Sequence, residues 1–303
     1  MSTVGIQKTQ RKPSETEIKC TLSNLLNDIR IMNTIKIPNR ARIIIKPNIC
    51  FLKGPETGAT VDPLIVRCLV EWFLMNYDVE SITIAEADAT ELDADVAFRV
   101  LGWQDIVDSL PKVKILNLTK DENVRVRLNG LFFKELYMSK TYMESDFLVS
   151  VAKLKTHCLS RISCVLKTQF GALPKKSKSC FHTHLDEVIH DVNKVRLPDL
   201  CVVDGIVGME EYGPIWGIPK PAGVLVVGND PVATDHVCAR VMRVDPHKIS
   251  YLKLAIRQKL GNQQYQTFGE KVEDVTTKFE CGRPLWKKTV LGIARTALDT
   301  LPR

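Results

Sequence analysis

Short apolar runs alternate with helix-like patterns in the first part of the chain, and this alternation restricts the folds that the chain can adopt. The runs occupy residues 41–49, 81–88 and 113–118. A helical pattern begins between the first two at Asp62-Pro63, where aspartate is a good N-cap and proline suits the first helical position. This order predicts an α/β fold with a mainly parallel sheet and flanking helices. Ligand-binding groups are then expected at the carboxyl ends of the strands.

The rest of the chain continues the pattern. Residues 123–134 alternate and turn at Asn129-Gly130, as in a hairpin. Further buried strands are predicted over residues 146–158, 199–205 and 223–230. No repeat of fixed period is present, which favours two lobes that share one composite core.

Three parts are expected along the chain: an N-terminal leader and first helix (1–37), the α/β core (38–260) and a basic amphipathic extension (261–303). The start of the chain is basic but lacks the apolar stretch of a secretory signal, so we expect a loose leader there. Residues 284–301 have apolar side chains on one helical side, and docking on the protein's own core is favoured over a membrane or partner surface.

The cysteines and the net charge narrow the compartment and the ligand. Nine cysteines are scattered singly with no C-x-x-C pair, which favours a cytoplasmic protein and argues against a ferredoxin-type iron–sulfur motif. No run approaches the roughly 18 apolar residues of a membrane helix. The net charge is +7, but aromatic-rich basic motifs and zinc-finger spacings are missing, which disfavours nucleic acid and favours a small anionic metabolite as partner.

The row Lys153, Lys155 and His157 is the strongest local signal, because alternate side chains of a strand point to the same face. The row follows an apolar run, which places it at the carboxyl end of a strand. Lysine supplies positive charge, and histidine supplies a group that titrates near neutrality. A site for an anion is one interpretation, and an ordinary solvated edge is the other.

Two further histidines follow a lysine-rich loop. His182 and His184 fall on one side of an extended segment, which suits a metal ion, although two histidines without a third nearby ligand are a weak metal signal. His190 lies off the apolar stripe of its helix and is expected to be exposed.

Acids follow other apolar runs, where a charge needs a partner to offset its desolvation. Asp230 precedes a proline and is explained as a helix N-cap. Asp204 precedes Gly205 and a glycine-spaced loop at residues 208–217, which suits a close approach to a ligand. Asp235 lies five residues beyond Asp230. Common nucleotide, hydrolase and zinc-protease motifs are missing from the sequence.

Seven motifs in a fixed order resemble the domain of unknown function 362 family, over about residues 41–260. They are KPN (46–48), Asp62-Pro63, KLKTH (153–157), LKTQFGALP (166–174), K-x-x-x-H (178–182), PDLCVVDGIVGMEEYGP (198–214) and NDPVATD (229–235). The resemblance implies a core distantly similar to the nickel-dependent lactate racemase superfamily. Many members look like iron–sulfur proteins with an appended ferredoxin-type cluster, but this chain lacks those cysteines and has Thr168 where the family usually has asparagine.

The resemblance and the motifs together favour an enzyme that binds a carboxylate- or phosphate-bearing metabolite and catalyses proton transfer, as isomerases, epimerases and lyases do. The candidate catalytic residues are His157, His182, Lys155 and Asp204. The candidate substrate-binding residues are Lys46, Asn48, Lys153, Lys167, Lys178, Gly213, Asp230 and Asp235.

Two other hypotheses stay open at this point. One is a metal- or cofactor-dependent redox or racemase-like protein, with His157, His182 and His184 as ligands of a divalent metal. The other is a non-enzymatic binding or accessory protein of an iron–sulfur system. The sequence leaves the substrate, the reaction, the cofactor and the formation of a homo-oligomer undetermined.

Overall fold

A computed structural model describes residues 1–28 and 35–282 of the 303-residue chain. Its main sheet consists of β1 (Ser2–Lys8), β2 (Ala41–Pro47), β3 (Val79–Glu86), β4 (Val113–Asn117), β7 (Phe147–His157), β8 (Arg161–Ser163), β9 (Leu200–Glu210), β10 (Ile218–Gly228) and β11 (Tyr265–Gly269). The separate hairpin consists of β5 (Asn123–Arg127) and β6 (Glu135–Ser139).

Helices connect these strands. They are α1 (Glu15–Asn27), α2 (Pro63–Asn76), α3 (Ala94–Val100), α4 (Gln104–Ser109), α5 (Lys140–Met143), α6 (Val165–Phe170), α7 (Leu185–Val195), α8 (Pro231–Val241) and α9 (Ser250–Arg257). Asp62 and Asp230 accept hydrogen bonds from the first free amides of α2 and α8, which satisfies donors that a helix start leaves unpaired.

The strand order across the sheet is β11-β1-β10-β9-β7-β2-β3-β4, with β8 paired to β7. Strands β9, β7, β2, β3 and β4 run parallel, whereas β10 is antiparallel to both of its neighbours. The α/β class with a mainly parallel sheet is therefore confirmed. Because β2, β3 and β7 run the same way, their carboxyl ends meet at one edge of the sheet.

The core lies in two layers, one on each face of the sheet. Ile43 and Ile45 of β2 pack into the layer that contains α1 to α4, and Ile44 packs into the layer that contains α6 to α9. Side chains alternate along a strand, so a run that is apolar at every position is buried on both faces. This is why the central strands read as continuous apolar runs rather than alternating ones.

Two expectations about single segments were wrong. The expected loose leader contains β1, which pairs with β10 and β11 inside the main sheet. His190, expected to be exposed, is buried with its Nδ1 2.8 Å from Asp191 Oδ1. The Asp191 carboxylate also accepts from the backbone amides of residues 131–133, so the pair fastens the β5–β6 hairpin to α7. The expected docking of residues 284–301 lies outside the described residues.

Within the described ranges, no helix combines the length and the apolar character needed to cross a bilayer.

We predict that Ile6→Ala lowers the free energy of unfolding by about 3 kcal/mol, because Ile6 in β1 is fully buried and its removal leaves a cavity. Urea denaturation followed by circular dichroism measures this change. Gln10→Ala is the control, since Gln10 is exposed just beyond the strand. Equal stability of the two variants would mean that β1 does not contribute to the core.

Candidate functional site

A pocket of about 400 Å³ opens where the carboxyl ends of β2, β3 and β7 meet. The loops after β2 and β3, the end of β7, helix α6 and the turn at Lys178–His184 all contribute to its lining. The polar side chains of its lining include Asn48, Cys50, Glu86, Lys155, His157, Lys167, Lys178 and His182. This is the place in an open parallel sheet where ligands bind.

A buried ion pair forms beneath the pocket. Lys46 Nζ lies 2.7 Å and 2.8 Å from the two carboxylate oxygens of Glu86, and both side chains are almost fully buried. Glu86 also accepts hydrogen bonds from the backbone amides of Ile49 and Ala87. The predicted substrate-binding residue Lys46 therefore has its charge matched by a neighbouring strand, and only Glu86 of the pair lines the pocket.

Lys155 is fully buried at the end of β7. Its Nζ donates to Ala59 O at 2.6 Å and to Cys50 Sγ at 3.1 Å. Burial lowers the pKa of this ammonium, because removal from water disfavours the charged form.

Two more lysines reach the pocket from the other side. Lys178 Nζ donates to Asp88 O at 2.6 Å and to Gly171 O at 3.0 Å. Lys167 Nζ lies 4.9 Å from the centre of the Phe170 ring. Burial lowers the pKa of Lys167 to about 8 and that of Lys178 to about 8.

None of these three lysines has an ion-pair partner in the part of the chain that the structure describes. Backbone carbonyls, a thiol and a ring surround Lys155, Lys167 and Lys178, but no carboxylate lies within 4 Å of their Nζ atoms among residues 1–28 and 35–282. An uncompensated buried charge is costly, so the pocket carries a positive charge that an anion would neutralise.

His157 is held in one protonation form. Its Nδ1 accepts hydrogen bonds from the amides of Leu159 at 3.1 Å and Ser160 at 3.3 Å, so the proton of the neutral ring is on Nε2. Burial first, and then the charges of Lys167 and Lys155, lower its pKa well below the ordinary range. At neutral pH His157 is thus a neutral ring with an Nε2–H donor.

His182 lines the pocket, and burial together with Lys167 lowers its pKa. A neutral His182 is able to accept a proton near pH 7. His184 instead packs against the Phe132 ring at 5.2 Å and does not line the pocket.

The structure does not bring the three expected metal ligands together. His184 points elsewhere, and Nδ1 of His157 is occupied by two amides. Across residues 1–28 and 35–282, no three His, Cys, Asp or Glu side chains lie close enough to hold a metal ion. The described donor set therefore does not fit a resident divalent metal.

Lys153 does not line the pocket that contains Lys155 and His157. Its Nζ lies 2.7 Å from Asp204 Oδ2 in a nearly fully buried ion pair, and both residues line a second pocket of about 190 Å³ beside Asp62. Asp204 also accepts from the Asp62 amide at 3.0 Å. The expected face of three donors is thus reduced to Lys155 and His157 in the larger pocket, and the register of β7 and β9 shifts between Lys153 and Lys155.

Three other candidate residues act on the framework and do not line either pocket. Asp230 caps α8 and accepts from Ser2 Oγ at 2.7 Å. Asp235 Oδ1 accepts from the Val165 amide at 2.7 Å and so caps the start of α6, and burial raises its pKa to about 7. A side chain at Gly213 would meet Thr156 O at 2.0 Å, so glycine lets the next loop lie against β7.

The sequence interpretation did not include Cys50 or Trp216, which also line the pocket. Cys50 follows the KPN motif closely, and Trp216 ends the GPIW segment. The sequence signal for these two residues is that each lies near a motif. Proximity to a motif does not show that the loops after β2 and β9 converge.

The similarity to known proteins covers the part of the chain that forms the pocket. Residues 43–240 match the model of a family described as "Domain of unknown function (DUF362)". A thylakoid-associated protein of Synechocystis sp. is 31% identical over 231 residues, covering 73% of this chain and 68% of that protein. Lactate racemase apoprotein from Thermoanaerobacterium thermosaccharolyticum aligns with a TM-score of 0.45 and 11% identity, covering 80% of this chain and 57% of the racemase. At that TM-score the alignment gives no information on a ligand or an activity.

We predict that Lys46→Met lowers the free energy of unfolding by about 3–5 kcal/mol, because it leaves the buried Glu86 carboxylate without its partner. The double variant Lys46→Met with Glu86→Gln should regain much of that loss, since both charges are then removed. Urea denaturation of the two single variants and the double variant gives the coupling energy. If the free-energy losses of the two single variants add up to that of the double variant, pairing with Glu86 is not the main role of Lys46.

We also predict that His157 keeps its Nε2–H form from pH 8 to pH 5.5, because protonation at Nδ1 would oppose two amide donors. Two-bond ¹H–¹⁵N correlation spectra distinguish the two ring nitrogens, and His157→Gln assigns the signals. Titration of this ring near its ordinary pKa would contradict the assignment.

Proposed function

This chain belongs to the family of the Domain of unknown function (DUF362), whose name assigns no activity, and on that premise we propose that its strand-end pocket binds a small anionic metabolite and catalyses proton transfer on it. The ligand class is a carboxylate or a phosphate ester. The reaction class is that of isomerases, epimerases and lyases, in which a C–H proton is removed and then returned or a neighbouring group leaves.

One observation carries the proposal: the pocket contains three lysine ammonium groups without a carboxylate partner among the described residues. Of the two carboxylates that line the same pocket, Glu86 is matched by Lys46, and Glu91 is exposed. Lys155 and Lys178 are buried and Lys167 is half-buried, and a protein places cations in this way at a cost, which a bound anion offsets.

Asn48, which also lines the pocket, has an unpaired amide oxygen. Asn48 Oδ1 is shielded from solvent and has no hydrogen-bond partner within the described chain. Buried polar atoms are nearly always paired in native proteins, so this oxygen lacks a donor that the described residues would normally supply.

The two pocket histidines take different roles in this proposal. His182 is neutral near pH 7 and removes a proton from the carbon next to the ligand's carboxylate or carbonyl group. The electron pair of that C–H bond moves onto the adjacent oxygen. His157 Nε2–H and a lysine ammonium stabilise that oxygen, and His182 returns the proton to carbon. His157 thus serves as a hydrogen-bond donor in place of the acid or base role that the sequence suggested.

The remaining candidates hold the pocket in place. Asp235 caps the helix that carries Lys167, and Gly213 places the loop that carries Pro214. Lys153 and Asp204 tie β7 to β9 beside the second pocket. We assign these residues to positioning, not to contact with the reacting atoms.

We predict that Lys167→Met weakens binding of small anions at least tenfold, because a charge-assisted contact is worth about 1.5–3 kcal/mol. Thermal-shift titrations with inorganic phosphate, phosphoglycolate and a series of 2-hydroxy acids measure the affinity. Lys176→Met is the matched control, because Lys176 is exposed in the neighbouring loop and is not part of the pocket. Equal weakening by both variants would show only a general charge effect.

Proton transfer itself is tested by incubating each bound acid with the enzyme in D₂O. We expect deuterium to enter at the carbon next to the carboxylate, and His182→Ala to abolish that exchange while binding persists. Binding without exchange for every acid that stabilises the protein would contradict the enzymatic part of the proposal and leave a binding protein.

We predict that the affinity for these anions falls as the pH rises through about 8, since Lys167 and Lys178 have pKa values of about 8 and lose their charge above them. A bound anion favours the charged lysines, so the midpoint for the complex lies higher than that for the free protein. Calorimetric titration at pH 6.5, 8 and 9.5 measures the trend. An affinity that is constant to pH 9.5 would contradict the role of these lysines.

A further inference from the structure

One wall of the strand-end pocket is apolar. Pro214, Ile215 and Trp216 from the loop after β9 line it, together with Leu159 from the turn after β7. The lysines and histidines that form the basis of the anion-binding proposal line the rest of the same pocket. The pocket is therefore divided into a charged part and an apolar part.

The apolar wall continues outward as a rim of exposed hydrophobic side chains. We define the apolar rim as Phe51, Leu159 and Trp216. Trp216 is 66% exposed, and Leu159 is also exposed. Single exposed apolar residues are ordinary, but exposed apolar side chains that line a pocket mark a surface that binds something apolar.

The rim is held in shape by contacts of its own. Phe51 and Trp216 pack with ring centres 5.8 Å apart. Lys53 Nζ lies 4.4 Å from the Trp216 ring and donates to Ile215 O at 2.9 Å. Because these contacts hold the indole ring outward while most of its surface is exposed, the rim is preformed for a ligand.

The volume of the pocket also exceeds what an anionic group needs. About 400 Å³ corresponds to roughly 13 water molecules at about 30 Å³ each. Inorganic phosphate has five non-hydrogen atoms, so more than half of the volume is left for the rest of the ligand.

We propose that the ligand is an amphipathic anion, with its carboxylate or phosphate among the lysines and an apolar chain or ring that leaves the pocket over Trp216 and the apolar rim. This inference rests on the proposed anion binding, and it adds the class of the ligand. The apolar part gains affinity by covering side chains that water otherwise contacts.

The test compares methyl, butyl and octyl phosphate, each below its micelle concentration, by calorimetric titration of the full chain. One fully buried methylene is worth about 0.8 kcal/mol, or about fourfold in affinity, so octyl phosphate should bind at least tenfold more tightly than methyl phosphate. In Trp216→Ser the ratio of the two affinities should fall to threefold or less. Met75→Ser is the matched control, because Met75 is 64% exposed but does not line the pocket, and it should keep the ratio of the unmodified protein.

The results separate this inference from the anion-binding proposal. If methyl phosphate binds in a Lys167-dependent way and octyl phosphate binds no better, the amphipathic ligand is wrong and anion binding stands. If octyl phosphate binds equally well to Lys167→Met, the contact is that of a detergent and both proposals fail. A chain-length effect that Trp216→Ser leaves intact would also overturn the assignment of the rim. So would a dimer that Trp216→Ser dissociates, since the rim would then bind a second copy of the chain.

Discussion

The buried ion pair of Lys46 and Glu86 is the interaction on which the pocket depends. It joins the carboxyl ends of β2 and β3, and Glu86 also holds the amides of the two loops that leave these strands. Such a pair gains little net free energy compared with apolar residues, but each partner is costly to leave alone. The chain must therefore bring both strand ends into register before either charge is satisfied. The loop that follows β2 then brings Asn48 and Cys50 into the lining of the pocket.

The pair also determines the charge of the pocket. By occupying Glu86, Lys46 leaves Lys155, Lys167 and Lys178 without a carboxylate in the described part of the chain. The backbone carbonyls that accept hydrogen bonds from Lys155 and Lys178 fix the positions of the two ammonium groups but do not cancel their charge. Positive charge near a histidine disfavours the imidazolium, which is one reason that His157 and His182 are neutral. Burial is the larger cause of the lowered pKa values of the two histidines, and the positive charge of the lysines adds to it.

Several acids that resemble site residues in the sequence instead position the elements around the pocket. Asp230 caps α8, Asp235 caps α6, and Asp204 pairs with Lys153 between two central strands. Each satisfies donors that the fold would otherwise bury unpaired. An acid after an apolar run signals that the fold needs a charge there, and it does not by itself say whether a ligand or a backbone amide receives that charge.

The sequence determined the layers of this protein, because burial on both faces of a parallel sheet requires continuous apolar runs, and helix starts such as Asp62-Pro63 use local hydrogen bonds. Strand ends and the family motifs also predicted Lys155, His157, Lys167, Lys178 and His182 as site residues, and these five line one pocket. The sequence missed the strand β1, whose place in the sheet depends on pairing with residues far along the chain. Only the tertiary structure decided which lysine finds a carboxylate, which histidine nitrogen is free and where Trp216 lies. Those outcomes depend on distances between segments remote in sequence, and a pattern of residue types contains no such distances.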